Sequence, residues 1–84
     1  MKINEIITET TLEEGIQIYP IVVTKQILLN MGFEFVRFGK GSHEIWGHSE
    51  TGDRYTLAKD GKMTALGSAK DLVRIMKRYN YNPQ

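Results

Sequence analysis

The stretch Gly39–His48, GKGSHEIWGH, concentrates the residue types of this chain that are best suited to chemistry. It places both histidines and the only tryptophan behind a Gly-Lys-Gly-Ser turn. Small turn residues expose backbone N–H groups that can bind an anion. The spacing G-x-x-x-x-G-K-[ST] of a nucleotide-binding loop is absent, however. The turn therefore predicts either an ordinary hairpin corner or a phosphate-binding corner, and the sequence leaves both open.

The two histidines are the residues best able to give and take protons near neutral pH. His43 follows the turn directly, where a substrate can reach its ring. His48 lies an odd number of residues further on, and strand alternation directs it to the opposite face. The chain has no cysteine and no H-E-x-x-H motif, so we expect no metal site and no cofactor. His43 is either a polar surface residue or an acid–base group.

One reaction that needs no metal in principle is the cleavage of RNA. A base removes the proton of the ribose 2′-OH, which attacks the phosphate, and an acid protonates the departing 5′ oxygen. Cationic side chains stabilise the charge that develops on phosphorus. His43, with Arg37 and Lys40 close to it in the chain, would supply these groups.

Further residues are compatible with nucleic-acid binding. Trp46 is either a core residue of a small sheet or a platform on which a base stacks. A basic strip near the C-terminus consists of Lys70, Arg74 and Lys77. It is either a solvated helix face or a set of phosphate contacts.

The elements that position these residues follow from periodicity. Apolar residues at 23, 27, 28 and 31 predict a helix after Pro20, with Thr24 as one candidate N-cap and Gly32 as a left-handed C-terminal cap. Aromatic and β-branched residues predict strands over 33–38, 43–48 and 54–59. Short loops between consecutive strands favour an antiparallel meander.

A second helix is predicted after the loop 60–63. The segment 68–71 has the form [ST]-x-x-[DE], which indicates a helix start at Ser68. The apolar stripe of this helix is formed by Leu72, Val73, Met76 and Tyr79. The sequence thus predicts an α+β domain in the order α-β-β-β-α.

Composition limits the class of protein. The chain has 84 residues, which suffices for one domain. Its longest apolar runs are too short to span a bilayer, so we expect a cytoplasmic protein without membrane contact. Residues 1–23 hold one lysine and four glutamates, net −3, and residues 24–84 hold ten Lys/Arg and six Asp/Glu, net +4. We therefore divide the chain into an acidic extension, 1–20, and a domain, 21–84.

The extension itself is the least predictable part. Ile3, Ile6 and Ile7 have the spacing of a short amphipathic helix, and 11–14 has the form of a capping box. Its glutamates are either an RNA mimic that folds against the basic body or part of an oligomer contact.

The order of these features resembles the HicA toxin family. Its members run helix, glycine, aromatic strand, arginine, Gly-Ser-His and an aromatic residue three positions later. The matching residues of this chain, within a resemblance that spans roughly 23–78, are Gly32, Phe33, Arg37, Gly41, Ser42, His43 and Trp46.

The resemblance implies a fold similar to the double-stranded-RNA-binding domain (dsRBD). It also implies metal-independent cleavage of messenger RNA by His43, presented by Gly41 and Ser42, and neutralisation by a HicB-type antitoxin. Many members carry Val-Pro-x-His after the third strand, which is absent here, so a second proton-transfer group would be Lys59, Lys62 or nothing. Two alternatives remain: a non-catalytic RNA-binding module of the same fold, and a protein-interaction domain that docks to an antitoxin or regulator. The oligomeric state is open.

Overall fold

The computed structural model describes residues 16–82. Its elements in chain order are α1 (Ile21–Met31), β1 (Phe33–Phe38), β2 (Glu44–His48), β3 (Arg54–Leu57), β4 (Lys59–Asp60), β5 (Met63–Thr64) and α2 (Leu66–Arg78). The predicted α+β order of helix, three antiparallel strands and helix is confirmed. The predicted N-terminal helix, the capping box at 11–14 and the acidic residues of the extension lie outside the described residues.

The main sheet has the strand order β1-β2-β3, with both pairings antiparallel. Trp46 in the central strand is paired with Phe35 on one side and Tyr55 on the other. Between Phe35 and Arg37 the register shifts by one residue, so that Val36 forms a β-bulge in β1.

Both helices pack on the same face of this sheet. The residues of that face follow from the pairing, because directly opposed residues point the same way. The core on this helix side is formed by Phe33, Trp46, His48, Tyr55 and Leu57 of the sheet and by Ile27, Leu28, Met31, Leu72 and Ile75 of the helices. The other face, which we call the open face, carries no helix within residues 16–82.

Helix α1 begins after Pro20, because proline fits the start of a helix but not its interior. The predicted N-cap Thr24 is wrong: this residue is buried inside α1, and its hydroxyl bonds to Thr64 at 2.7 Å. Thr24 also takes the core position expected for Val23, which is exposed instead. The predicted cap at Gly32 is confirmed, with φ of 102°.

Helix α2 begins at Leu66, two residues before the predicted start, so Ser68 is not its N-cap. The Ser68 hydroxyl is buried in the first turn, where it donates to the Thr56 carbonyl and accepts from the Ala58 N–H, each at 2.8 Å. Ile75, missed by the predicted stripe, is a core residue. The stretch predicted as the end of β3 and a loop instead forms the β4–β5 hairpin.

Residues before the predicted boundary at residue 20 are part of the folded body. Ile16 is buried, and the Tyr19 carbonyl accepts a hydrogen bond from the Thr64 N–H at 2.9 Å. Pro20 forms a bridge with Met63. Neither helix in the described range is long and apolar enough to cross a membrane.

Candidate functional site

The corner between β1 and β2, residues 39–43, is closed by two backbone hydrogen bonds. The Gly39 N–H donates to the His43 carbonyl at 2.7 Å, and the His43 N–H donates to the Lys40 carbonyl at 3.1 Å. Gly41 has φ of 62°, a conformation that side-chain-bearing residues rarely adopt. A Cβ on Gly39 would lie 3.0 Å from the Ile45 side chain. Both glycines therefore allow the tight corner that exposes His43 at its end.

The open face brings Arg37 and His43 to the same side of the sheet. Arg37 is paired with Ile45, which points away from the helices, and His43 precedes Ile45 by two residues. Strand alternation therefore places the His43 side chain on the Arg37 side. Arg37, Lys40, Ser42 and His43 are all exposed. The described residues provide no hydrogen-bond partner for the His43 ring.

His48 is a structural residue. Its Nε2–H donates to the Met31 carbonyl at 2.8 Å, and its Nδ1 accepts from the backbone N–H groups of Glu50 and Thr51 at 3.1 and 3.2 Å. The ring packs against Phe33 and Tyr79, with centroid distances of 5.1 and 4.8 Å. Both nitrogens are therefore engaged, and the ring joins the end of α1 to the β2–β3 turn.

The most polar feature of the helix side is the buried carboxylate of Glu44, which was not predicted from the sequence as a site residue. Glu44 Oε1 accepts the indole N–H of Trp46 at 3.0 Å. Glu44 Oε2 forms ion pairs with Lys25 Nζ at 3.3 Å and Lys59 Nζ at 3.0 Å. Burial raises the pKa of Glu44, but the hydrogen bonds from Lys59, Trp46 and Lys25 outweigh this effect and hold the pKa below its usual value.

Two of the predicted residues have roles that the sequence left open. Trp46 is a core residue with only 5% exposure, so its broad face cannot serve as an exposed stacking platform; this part of the prediction is corrected. Lys59, considered as a second proton-transfer group, is held by Glu44. Lys62 is exposed and forms no ion pair within residues 16–82.

The basic strip of α2 meets the sheet only at its β3 edge, where Arg74 lines a pocket with Arg54 and Thr56. Lys70, Arg74 and Lys77 are all exposed. Arg74 is paired with Asp71. Helix α2 begins beside Thr56, at the corner end of the sheet, and ends near His48. Lys70 is therefore the member of the strip nearest to the corner, and Lys77 is the furthest.

Positive charge gathers at the corner end of the molecule. Glu44 directly follows the corner and is paired with Leu57, so the β4–β5 hairpin, which comes just after Leu57, lies at this end. The start of α1 lies here too, because Lys25 pairs with Glu44 and the Ile21 N–H donates to the Lys62 carbonyl. The lysines of this end of the molecule are Lys25, Lys40, Lys59 and Lys62, beside the carboxylates of Glu44 and Asp60. Lys25 and Lys59 lie on the helix side, where they pair with Glu44.

Lys25, Phe35 and Phe38 were not predicted from the sequence as candidate site residues. Phe35 and Phe38 are 44% and 61% exposed although both face the helix side. The aromatic run in β1 was a visible signal, but the bulge that places Phe38 beside Phe35 cannot be read from composition.

Comparisons with family models, with curated proteins and with solved structures find no match for this chain. The resemblance to the HicA family therefore stays a prediction from the residues that carry it. Within residues 16–82, no group of three or more histidines and carboxylates is placed to hold a metal ion.

Proposed function

We propose that this protein is a HicA-like endoribonuclease that cleaves messenger RNA in the cytoplasm without a metal ion, with His43 as its catalytic residue. One observation carries the proposal: His43 is exposed at a glycine corner on the same side of the sheet as Arg37, and Lys40 is exposed in that corner. A polyanionic substrate is attracted to such a surface. The second histidine is held in the core by three hydrogen bonds, so it supplies no competing site.

In the proposed reaction, His43 accepts the proton of a ribose 2′-OH. The 2′ oxygen forms a bond to the adjacent phosphorus, and the bond from phosphorus to the 5′ oxygen breaks. The departing 5′ oxygen takes a proton from water or from the exposed Lys62 ammonium. The products are a 2′,3′-cyclic phosphate and a 5′-hydroxyl. Arg37 and Lys40 stabilise the negative charge that develops on the phosphate.

The proposal is tested by incubating RNA with the purified full chain in the presence of EDTA. We expect cleavage with cyclic-phosphate ends, and a loss of at least about a hundredfold for His43→Ala and His43→Gln. The glutamine variant keeps a polar side chain but cannot transfer the proton. Ser49→Ala is the control, since Ser49 is exposed on the β2–β3 turn. Cleavage at the wild-type rate by both His43 variants refutes the catalytic role.

A second candidate function is a non-catalytic RNA-binding module of the same fold. It is favoured by the His43 ring, which has no partner within the described residues to orient it for proton transfer. Equal RNA binding by wild type and His43→Ala, with no cleavage by either, selects this module. Binding of a HicB-like antitoxin without any RNA affinity selects a protein-interaction domain instead.

A further inference from the structure

An open pocket lies between α1 and β1 on the helix side of the sheet. Its walls are formed by Lys25, Phe35, Phe38, Glu44 and Trp46, and its volume is about 350 Å³. Pockets that bind small molecules have volumes of roughly 300–1,000 Å³. The pocket therefore has room for a single ring system with its substituents.

The aromatic walls present uncovered ring surface. Phe35 packs edge-on against Phe38 at a centroid distance of 5.1 Å and against Trp46 at 6.2 Å. The three rings thus form a row in the order Trp46, Phe35, Phe38, in which Trp46 is buried at the inner end and Phe38 is 61% exposed at the outer end. β1 is an edge strand, and α1 leaves its outer half uncovered. A flat ligand can therefore stack where the protein supplies no partner of its own.

The rim of the pocket is cationic. Glu44 contributes one negative charge to the ion pairs, and Lys25 and Lys59 contribute two positive charges. One positive charge is therefore left uncompensated in this cluster. The Lys25 side chain is 38% exposed and lines the pocket, so its ammonium can reach an anion outside. Such walls and charge fit a ligand that is flat, aromatic and anionic.

We propose that this pocket holds one unpaired nucleobase of an RNA strand, stacked on Phe38 and Phe35, with the adjacent phosphate on Lys25. The inference rests on the proposed RNA-directed function, but it does not require cleavage. Glu44 in the pocket wall is the residue after His43, so a strand seated in the pocket continues around the corner towards His43. A base bound here would select which phosphate reaches the histidine.

An added β-strand, from a second copy or another protein, fits this edge less well. The bulge at Val36 interrupts the regular pairing edge of β1, and bulges protect edge strands from such addition. The charged Glu34 and Arg37 lie in the same strand and are exposed. Stacking of a base needs only the ring surface and the ammonium group, which the pocket supplies.

The single tryptophan makes the pocket directly observable. The probe is a short 2′-O-methyl oligoadenylate, which has no 2′-OH and is not cleaved. We expect it to change the Trp46 fluorescence of the full chain on binding. Phe38→Ala should weaken binding about tenfold, because one stacked base is lost. Leu66→Ala, which truncates a 46% exposed side chain on α2, should leave the affinity unchanged.

An oligomer with the same backbone but no bases separates stacking from charge. Phe38→Ala should not weaken binding of this abasic oligomer. Lys25→Gln should weaken binding of both oligomers and lower the slope of log affinity against log salt by about one.

The outcomes distinguish a failure of the nucleobase-site proposal from a failure of the ribonuclease proposal. Unchanged oligoadenylate affinity in Phe38→Ala, with His43-dependent cleavage intact, overturns the pocket and leaves the ribonuclease standing. A wild-type chain that neither binds nor cleaves RNA overturns the proposed function itself. If Phe38→Ala alters the sedimentation of the protein and not its RNA affinity, the pocket serves a second copy, and the nucleobase site is wrong.

Discussion

Replacement of His48 by alanine should destabilise the fold, whereas the same change at His43 should not. His48→Ala removes the hydrogen bond to the Met31 carbonyl and the acceptor for two turn N–H groups. A net hydrogen bond contributes about 1 kcal/mol, and the exposed turn allows water to replace part of the loss there. The two aromatic contacts of the ring add about 0.5–1.5 kcal/mol each.

Together these terms predict a loss of about 3 kcal/mol in the free energy of unfolding. For a domain of this size, a loss of 1 kcal/mol lowers Tm by roughly 4–8 °C, so the transition should fall by more than about 10 °C. His43→Ala should change the free energy of unfolding by less than about 0.5 kcal/mol, because His43 is exposed.

Urea denaturation followed by Trp46 fluorescence measures both variants on one scale, since the chain has a single tryptophan. Circular dichroism serves as the second probe and checks that the transition is two-state. A loss below about 1 kcal/mol for His48→Ala, or equal losses for the two histidines, would refute the assignment of His48 as a structural residue.

Three further changes test the packing around these residues. Gly32→Ala should cost about 2–3 kcal/mol in urea denaturation, because of its positive φ and a Cβ only 2.7 Å from His48 Nε2; the cost should shrink in a His48→Ala background, and strict additivity would contradict this clash. Ser68→Ala should cost about 1–2 kcal/mol by removing two hydrogen bonds, while the exposed Ser49→Ala is neutral; equal effects would refute the role of the buried hydroxyl. Glu44→Gln should lose about 1–2 kcal/mol at neutral pH. Since the folded-state pKa of Glu44 is lowered, its contribution is complete above the unfolded pKa of about 4.3 and is lost as pH falls through the folded value. The stability difference between wild type and Glu44→Gln should therefore narrow as the pH falls below about 4.3, and a constant difference contradicts the ion-pair argument.

Local patterns predicted the order of the elements because each element carried its own signal. Gly32 marked the end of α1 through backbone conformation, and the aromatic run of β1 favoured a strand. The errors fall where a long-range contact decides. Thr24 is suited to capping a helix, but its partner Thr64 lies forty residues away and draws it into the core. Ser68 likewise binds the end of β3 and not its own helix.

The candidate site was predictable only where its residues carry a local signal. Exposure of His43 follows from its place after a glycine turn, which is a local property. The ion-pair cluster of Lys25, Glu44 and Lys59 joins residues from α1, β2 and β4, so no local spacing in the sequence predicts it. The pocket beside Phe38 depends on the register of β1, which hydrophobic alternation alone does not determine.

The bulge at Val36 has a consequence for the lengths that β1 can tolerate. If β1 kept all its residues and paired regularly, Arg37 would lie opposite Glu44 on the helix side and Phe38 opposite His43 on the open face. The bulge takes up one residue more than the partner strand has, so a deletion of Val36 would leave Arg37 opposite Ile45 and Phe38 opposite Glu44. We therefore expect this strand to tolerate the loss of Val36. Pairing without the bulge at the present length would instead exchange a cation and an aromatic ring between the two faces of the sheet.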